Sequence, residues 1–275
     1  MLETNDPLTL CAVAGQLATE AADFVRVRRA EVFGAVPLAG AVRSKSTPTD
    51  PVTVVDTETE RLLRERLAEL RPGDHVLGEE EGGSAVAGSG VPVWVIDPID
   101  GTVNFVYGIE TYAVSVGVQI DGVSVAGAVA NVPTGEVYSA AAGHGATVTR
   151  DGVSTVLRCN TIDDLSMALL GTGFSYEAEQ RSRQAAVLAA LLPGVRDVRR
   201  LGSCALDLCM VASGRLDAYF EDDVHVWDWA AGALIAAEAG AVVRLPSAMG
   251  DAHHMLVAAA PGVAAALDEA LQRFR

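Results

Sequence analysis

Apolar and polar residues follow two different rhythms along this chain, and the change of rhythm divides it. Over residues 8–33 the apolar positions recur at helical spacing, which predicts a long amphipathic helix. Residues 34–51 are rich in Gly, Pro, Ser and Thr and predict a loop. In "DTETERLLRERLAEL" (56–70), Leu63, Leu67 and Leu70 fall at i, i+4 and i+7. Acids come early and arginines later, as a helix dipole favours, and Asp56 is placed to cap this helix. "HVLGEEEGG" reads as a short strand running into acids and glycines, and residues 82–91 as an exposed loop.

From residue 91 the period shortens to that of strands. "VPVWVID" (91–97) predicts a buried strand, and "YAVSVGVQIDGVSVAGAVANV" predicts two strands joined at Asp121-Gly122, a strong hairpin signal. The antiparallel pattern continues to about residue 150. Beyond it, helical stretches (177–191, 203–214, 227–238, 261–274) alternate with short strands near 168–170, 217–220, 242–245 and 255–258. The boundary falls in 152–158, which gives an α+β unit over 1–153 and an α/β unit over 154–275.

The chain has 275 residues, half of them hydrophobic and a fifth charged, which fits a soluble globular protein. Its 36 acidic against 20 basic residues give a net charge of −16. That balance disfavours nucleic acid and anionic membrane as partners and suits a protein carrying divalent cations, though acidic surfaces also simply keep proteins soluble. The N-terminus lacks the pattern of a secretory signal, and "WAAGALIAAEAGAVV" (229–243) is interrupted by Glu238 and too short to span a bilayer. The four cysteines form no C-x-x-C, which fits reduced thiols in a cytoplasmic protein. Lys45 is the only lysine and lies in no P-loop, so ATP binding by that route is not expected.

Three stretches carry candidate chemistry. In "DPIDGT", Pro98 keeps Asp97 extended, and the turn lets Asp100 point back to the same place. Gly101 and Thr102 follow where a helix could start, and the N–H groups of a helix start favour an anion. Two carboxylates beside an anion repel it unless a cation lies between, and Mg2+ takes oxygen ligands and bridges to phosphate. The alternative is a pair of turn-making aspartates that bind nothing. "GEEEG" (78–82) is ordinarily a solvated acidic loop, with metal binding as the other reading. In "VHVWDWAAG", Asp228 sits between two tryptophans at a helix start, where Asp is usually a cap. His225 reads as a core or turn histidine, and His253-His254 as solvent-exposed. There is no G-x-S-x-G elbow. The three-residue gap between Asp97 and Asp100 differs from the two-residue gap of haloacid-dehalogenase phosphatases, which disfavours a phospho-aspartate intermediate.

Taken together, "GEE" (78–80), "WVIDPIDGTVNF" (94–105) and "WDWAAGALIAAEAG" (227–240) resemble the inositol monophosphatase family, metal-dependent and lithium-sensitive sugar phosphatases. "KSTPTDPVTVVD" (45–56) is similar to the family's mobile catalytic loop, and 199–221 to its substrate-side segment. The resemblance implies a layered αβαβα sandwich, with an antiparallel sheet in the first half and a smaller mixed sheet in the second. It implies two or three Mg2+ ions. Glu79, Asp97 and the Ile99 carbonyl would hold the first, and Asp97, Asp100 and Asp228 a second. Glu80 would act from behind them, and Asp56 and Thr102 would orient or deprotonate the attacking water, with Glu79 on the catalytic side as well.

The resemblance further places the Gly101 and Thr102 amides on phosphate oxygens, and Gly202, Ser203, Cys204 and Glu221 toward the sugar hydroxyls, with Asp100 and Asp228 assisting. The implied reaction is hydrolysis of inositol 1-phosphate by a metal-activated water, in a cytoplasmic homodimer. Alternatives are a sister activity on histidinol phosphate, fructose 1,6-bisphosphate or 3′-phosphoadenosine 5′-phosphate, or a non-catalytic regulatory protein of the same fold. The sequence departs from the family pattern at Tyr107, where histidine is common, at Cys204, where alanine is usual, and at the additional acid Glu81.

Overall fold

The computed structural model describes residues 5–34, 40–84, 88–246 and 255–273. The chain opens with helix α1 (Pro7–Val32), then a ribbon of β1 (Val42–Ser44) and β2 (Pro51–Thr53), and α2 (Val54–Leu70). β3 (His75–Gly78), β4 (Gly82–Gly83), β5 (Pro92–Asp100) and the short α3 (Thr102–Tyr107) follow. A meander comes next: β6 (Ala113–Ile120), β7 (Val123–Asn131), β8 (Val137–Ala141), β9 (Ala146–Arg150) and β10 (Val153–Val156). The second half comprises β11 (Leu169–Thr172), α4 (Ala178–Leu191), β12 (Asp197–Arg199), α5 (Cys204–Ala212), β13 (Ala218–Glu221), α6 (Val226–Glu238), β14 (Val242–Arg244), β15 (Leu256–Ala259) and α7 (Pro261–Gln272).

These elements stack in five layers. α1 and α2 cover the outer face of an eight-stranded sheet ordered β10-β9-β8-β7-β6-β5-β3-β4. α5 and α6 fill the space between it and a five-stranded sheet ordered β12-β11-β13-β15-β14. α4 and α7 close the far side. The αβαβα sandwich is therefore as the sequence predicted, and the second sheet is mixed: β11 pairs parallel with β12 and β13, while β15 pairs antiparallel with β13 and β14.

Three details differ from the sequence reading. The first sheet is not wholly antiparallel, because β3 joins β5 in parallel. The residues read as one loop at 34–51 include the β1–β2 ribbon, which carries Lys45 just past its first strand. Among the described residues the helix long and apolar enough to cross a bilayer is α1, which the sequence reading did not single out; 229–243, read as too short, breaks into α6 and β14. In the fold, Leu10, Ala14, Leu17, Ala21 and Val25 of α1 are buried against the sheet at helical spacing.

The hairpin at Asp121-Gly122 forms as predicted. Ile120 pairs with Val123, and both turn residues have positive φ (52° and 78°), as a two-residue turn of the I′ kind demands. The first sheet ends at Val156, within the predicted boundary segment. The two halves nevertheless share one core, in which Ala113, Val129 and Tyr138 pack with residues of α5 and α6.

Candidate active site

The acids come together through an irregularity in β5. Val93 and Val95 face α6, while Trp94 and Ile96 face α1 and α2. Strict alternation would carry Asp97 to the α6 side and Asp100 to the other. Asp97 pairs with Ser115 and Asp100 with Ala113, so three residues of β5 span two of β6. This is a β-bulge, and Pro98 sits in it, where its missing N–H breaks no ladder bond. Ile99 accordingly packs in the same core as Ile96. The bulge shifts the phase by one residue, so Asp97 and Asp100 border the same cleft. The sharp turn inferred at Asp97 is thus a bulge within a strand that runs on to Asp100.

Gly101 then reverses the chain into α3 with φ of 98°. A Cβ there would lie 3.0 Å from the Thr111 carbonyl and 3.1 Å from that of Gly202, so only glycine fits. Thr102 opens α3 with its hydroxyl in reach of Asp56 Oδ1 (3.2 Å) and the Ile99 carbonyl (3.0 Å). Asp56 is fully buried behind it. Asp56 is not the first cap of α2, as the sequence predicted. Thr53 takes that position, and Asp56 returns a bond to the Thr53 N–H at 2.9 Å, completing a capping box. Burial first, then the charges of Glu79 and Glu80, push the Asp56 carboxyl up to about 7 despite the bonds from Thr53.

The second half supplies the remaining acids from helix starts. Asp228, in the first turn of α6, accepts the His225 N–H at 2.6 Å. Asp100 reaches across to the start of α5, where its Oδ2 accepts from Ser203 Oγ (2.7 Å) and the Ala205 N–H (2.6 Å). Asn104 makes a second link, donating to the carbonyls of Thr111 (2.8 Å) and Leu201 (2.7 Å). The 201–205 turn is therefore pinned to "DPIDGTVN" at two points.

A cleft of about 360 Å³ lies between these elements. Every predicted metal ligand borders it: Glu79, Asp97, Ile99, Asp100 and Asp228. So do Gly101, Thr102, Gly202, Cys204 and Glu221. Asp56 and Ser203 do not; the Ser203 hydroxyl is taken up by Asp100 and by the Leu206 N–H it caps. Tyr107 stands off the cleft, 79% exposed. His253 and His254 lie outside the described residues. Sequence reasoning missed Phe174, Ser175 and Tyr176, which border the cleft just past β11. The signal was available, because ligands in α/β layers collect beyond the C-terminal ends of parallel strands.

The electrostatics of the cleft ask for a cation. Burial raises the Asp97 carboxyl well above its usual range, and Glu79, Asp100 and Asp228 add to the effect. Asp228 is raised the same way, by burial and then by Asp100 and Glu79. Asp100 is pushed to about 6, burial outweighing the bonds from Ser203 and Ala205. On the acidic side the cation is Lys45, whose Nζ lies 2.8 Å from Glu79 and 2.5 Å from Glu80, while Arg200 borders the cleft nearer Glu221. Burial works against the Lys45 charge, and the two glutamates more than offset that. Glu79 and Glu80 are therefore not the solvated acids the sequence allowed.

Among the described residues no three acids, imidazoles or thiols stand in ready-made coordination geometry. The donor chemistry still fits a hard divalent cation: oxygen donors only, carboxylates crowded in one cleft, and protonation as their sole alternative to a counter-ion. On the other side of the cleft, Glu221 accepts from the Tyr219 hydroxyl. Burial pushes Glu221 up to about 7, against the Tyr219 bond and the Arg200 charge.

Comparison with known proteins agrees with this geometry. The chain is 66% identical to an inositol-1-monophosphatase of Mycobacterium leprae, over 98% of this chain and 96% of that one. It is 63% identical, over the same shares, to the inositol-1-monophosphatase SuhB of Mycobacterium tuberculosis. The solved structure of Mycobacterium tuberculosis SuhB superposes with a TM-score of 0.84 at 59% identity, covering 98% of both chains. The family model described as "Inositol monophosphatase family" matches residues 6–274. The chain belongs to the inositol monophosphatase family.

Proposed function

We propose that this protein is a Mg2+-dependent phosphate monoester hydrolase that releases myo-inositol and phosphate from inositol 1-phosphate. The observation that carries the reading is the β5 bulge, which aims Asp97 and Asp100 into one cleft beside Glu79 and Asp228. Glu79, Asp97, Asp100, Asp228 and the Ile99 carbonyl would hold two or three ions. When bound, such ions lower the pKa of a water and offset charge on the phosphoryl group.

The protein's own groups do the rest. The Gly101 and Thr102 amides, at the start of α3, are free of intrahelical acceptors and suit phosphate oxygens. The Thr102 hydroxyl, donating to Asp56, presents a lone pair that orients the attacking water. The water oxygen bonds to phosphorus as the bond to the inositol oxygen breaks. The water gives up a proton toward Thr102 and Asp56, and the leaving oxygen takes one from solvent. A carboxyl near 7 is matched to that exchange at neutral pH. Glu221, Cys204 and Gly202 border the part of the cleft that would receive the ring. On the same reading the enzyme is a cytoplasmic homodimer; its four cysteines are free thiols, as that compartment requires.

The test is phosphate release from D-myo-inositol 1-phosphate with Mg2+, with and without EDTA. Histidinol phosphate, fructose 1,6-bisphosphate and 3′-phosphoadenosine 5′-phosphate run alongside. Release that needs Mg2+ and is several-fold more efficient for inositol 1-phosphate is expected. A several-fold preference for another substrate overturns the substrate assignment, and metal-independent release overturns the mechanism.

A further inference from the structure

Glu60 is a buried acid that the reaction does not use. It is 0% exposed and lies on α2 one turn after Asp56, on the same helix face. Its Oε2 accepts the Glu80 N–H at 2.7 Å and its Oε1 the Glu81 N–H at 3.0 Å. Arg64, one turn further on, brings Nε (2.9 Å) and Nη2 (2.8 Å) to Oε1, and Nη2 also reaches the Gly82 carbonyl at 2.6 Å. Room for the carboxylate comes from Gly78, where a Cβ would lie 2.2 Å from Glu60 Oε1.

We propose that Glu60 is a positioning residue: it fastens the Glu79–Glu80–Glu81 turn to α2 and so sets where Glu79 meets the metal. The inference rests on the metal-dependent reading above. Three successive carboxylates repel one another, and a turn built of them spreads unless its backbone is held. Glu60 holds it from beneath. Its oxygens take up two successive amides, and Arg64 neutralises the charge this adds. The Glu79 amide bonds to the Ile96 carbonyl of β5 at 3.3 Å, the Glu80 and Glu81 amides face α2, and the Glu79 and Glu80 side chains meet Lys45.

α2 has anchors other than Glu60. Val55, Leu63 and Leu67 anchor the helix in the core, and the Thr53–Asp56 box caps it. Apart from Arg64 of the same helix, the Glu60 bonds go to the acidic turn. One helix thereby registers two parts of the site: Asp56 beside Thr102, and the Glu79 turn.

The experiment compares wild type with Glu60→Gln and Gly78→Ala. Mg2+ affinity is read by calorimetry, amide exchange at Glu80 and Glu81 by NMR, and folding by thermal melting. Glutamine accepts only one of the two amides and turns its own N–H groups toward the other, while the Gly78→Ala methyl displaces the carboxylate. Both variants are expected to fold, to lose protection at Glu80 and Glu81, and to bind Mg2+ about tenfold or more weakly, as when a metal ligand loses its supporting bond. At saturating Mg2+, kcat should recover to within about threefold, which separates lost affinity from lost chemistry. In a Glu79→Gln background, Glu60→Gln should add less than about twofold, since it acts through that residue.

Unchanged Mg2+ affinity in folded Glu60→Gln, or full additivity with Glu79→Gln, overturns the proposal. Should Glu60→Gln fail to fold, Gly78→Ala decides by the same readouts. Wild type that binds no Mg2+ defeats the functional reading and this inference with it. Wild type that binds, alongside variants that bind equally well, defeats the inference alone.

Discussion

The metal-facing acids and Glu221 border one cleft, yet the fold supports them differently. Asp97 and Asp228 take bonds from backbone N–H groups and otherwise face carboxylates, and among the described residues no arginine or lysine pairs with them or with Asp100. Glu221 has the Tyr219 hydroxyl on its carboxylate and the Arg200 charge in its favour. The first group is electrostatically incomplete and gains from an added cation. The second has a hydroxyl donor and a nearby guanidinium of its own, which temper the burial that pushes it to about 7, and a hydroxyl-bearing ligand in the cleft would add to them. A site whose aspartates have no paired cation while Glu221 has a guanidinium nearby would separate the tasks of holding metal and choosing substrate.

Substitutions can break that separation, and the largest effect should come from the incomplete side. Asp97→Asn removes a charge that the proposed ion sites would share. A loss of about a thousandfold or more in kcat/KM, ~4 kcal/mol of transition-state stabilisation, is expected in steady-state assays. A loss under tenfold would mean that the acids are not working as a unit. Thr102→Val keeps the shape and removes the hydroxyl between Asp56 and the cleft. It should lower kcat by about a hundredfold while leaving Mg2+ affinity near wild type by calorimetry. Glu221→Gln should spare kcat and raise KM for inositol 1-phosphate by about tenfold, with no change in the Mg2+ requirement. A shifted Mg2+ requirement in that variant would collapse the distinction between the two groups.

The smallest expected effect is on stability. Asp56 and Asp100 are raised from their usual values to about 7 and about 6 in the folded protein. Between about pH 4 and 7 the folded chain therefore holds protons that the unfolded chain has released. The stability these groups contribute is present at low pH and is lost as pH rises through those values. Metal-free protein should melt a few degrees lower at pH 8 than at pH 5.5 on their account. Added Mg2+ should raise the midpoint more at pH 8, where it does not compete with protons. An equal Mg2+ shift at both pH values would argue against ligation by Asp100.

How much of this was legible beforehand depends on what each feature rests on. α1, the buried part of β5 and the Asp121-Gly122 hairpin follow from periodicity and turn chemistry, which are local. The acids themselves were legible as residues out of place, two at the end of an apolar strand and one between tryptophans. Their convergence was read from the Pro98 turn and from the family resemblance, but the device that achieves it, a bulge within the strand, was not. In a regular strand, residues three apart face opposite ways, and nothing local in "DPID" announces that β5 gains one residue against β6 there. That the Ser203 hydroxyl is taken up by Asp100 was illegible for a related reason, because Asp100 lies on a strand about a hundred residues away in sequence. Glu60 falls in sequence on the apolar face of α2 with Leu63 and Leu67, but nothing there names its partners. Only the fold brings the Glu80 and Glu81 amides onto it.

The placement of α5 and α6 between the two sheets bears on how the enzyme is born. The residues of the eight-stranded sheet, Asp97 and Asp100 among them, are all synthesised before residue 160. The sheet's inner face, with Ala113, Val129 and Tyr138, has no cover until α5 and α6 follow. Asp228 arrives only with α6, so the nascent chain passes through most of its synthesis without a complete ion site and with an open, sticky face. A truncated chain ending near residue 222 should therefore be prone to aggregation, bind chaperones and hydrolyse nothing; soluble, active protein from such a truncation would contradict this order of events. Activity, on this architecture, also reports that synthesis is nearly finished.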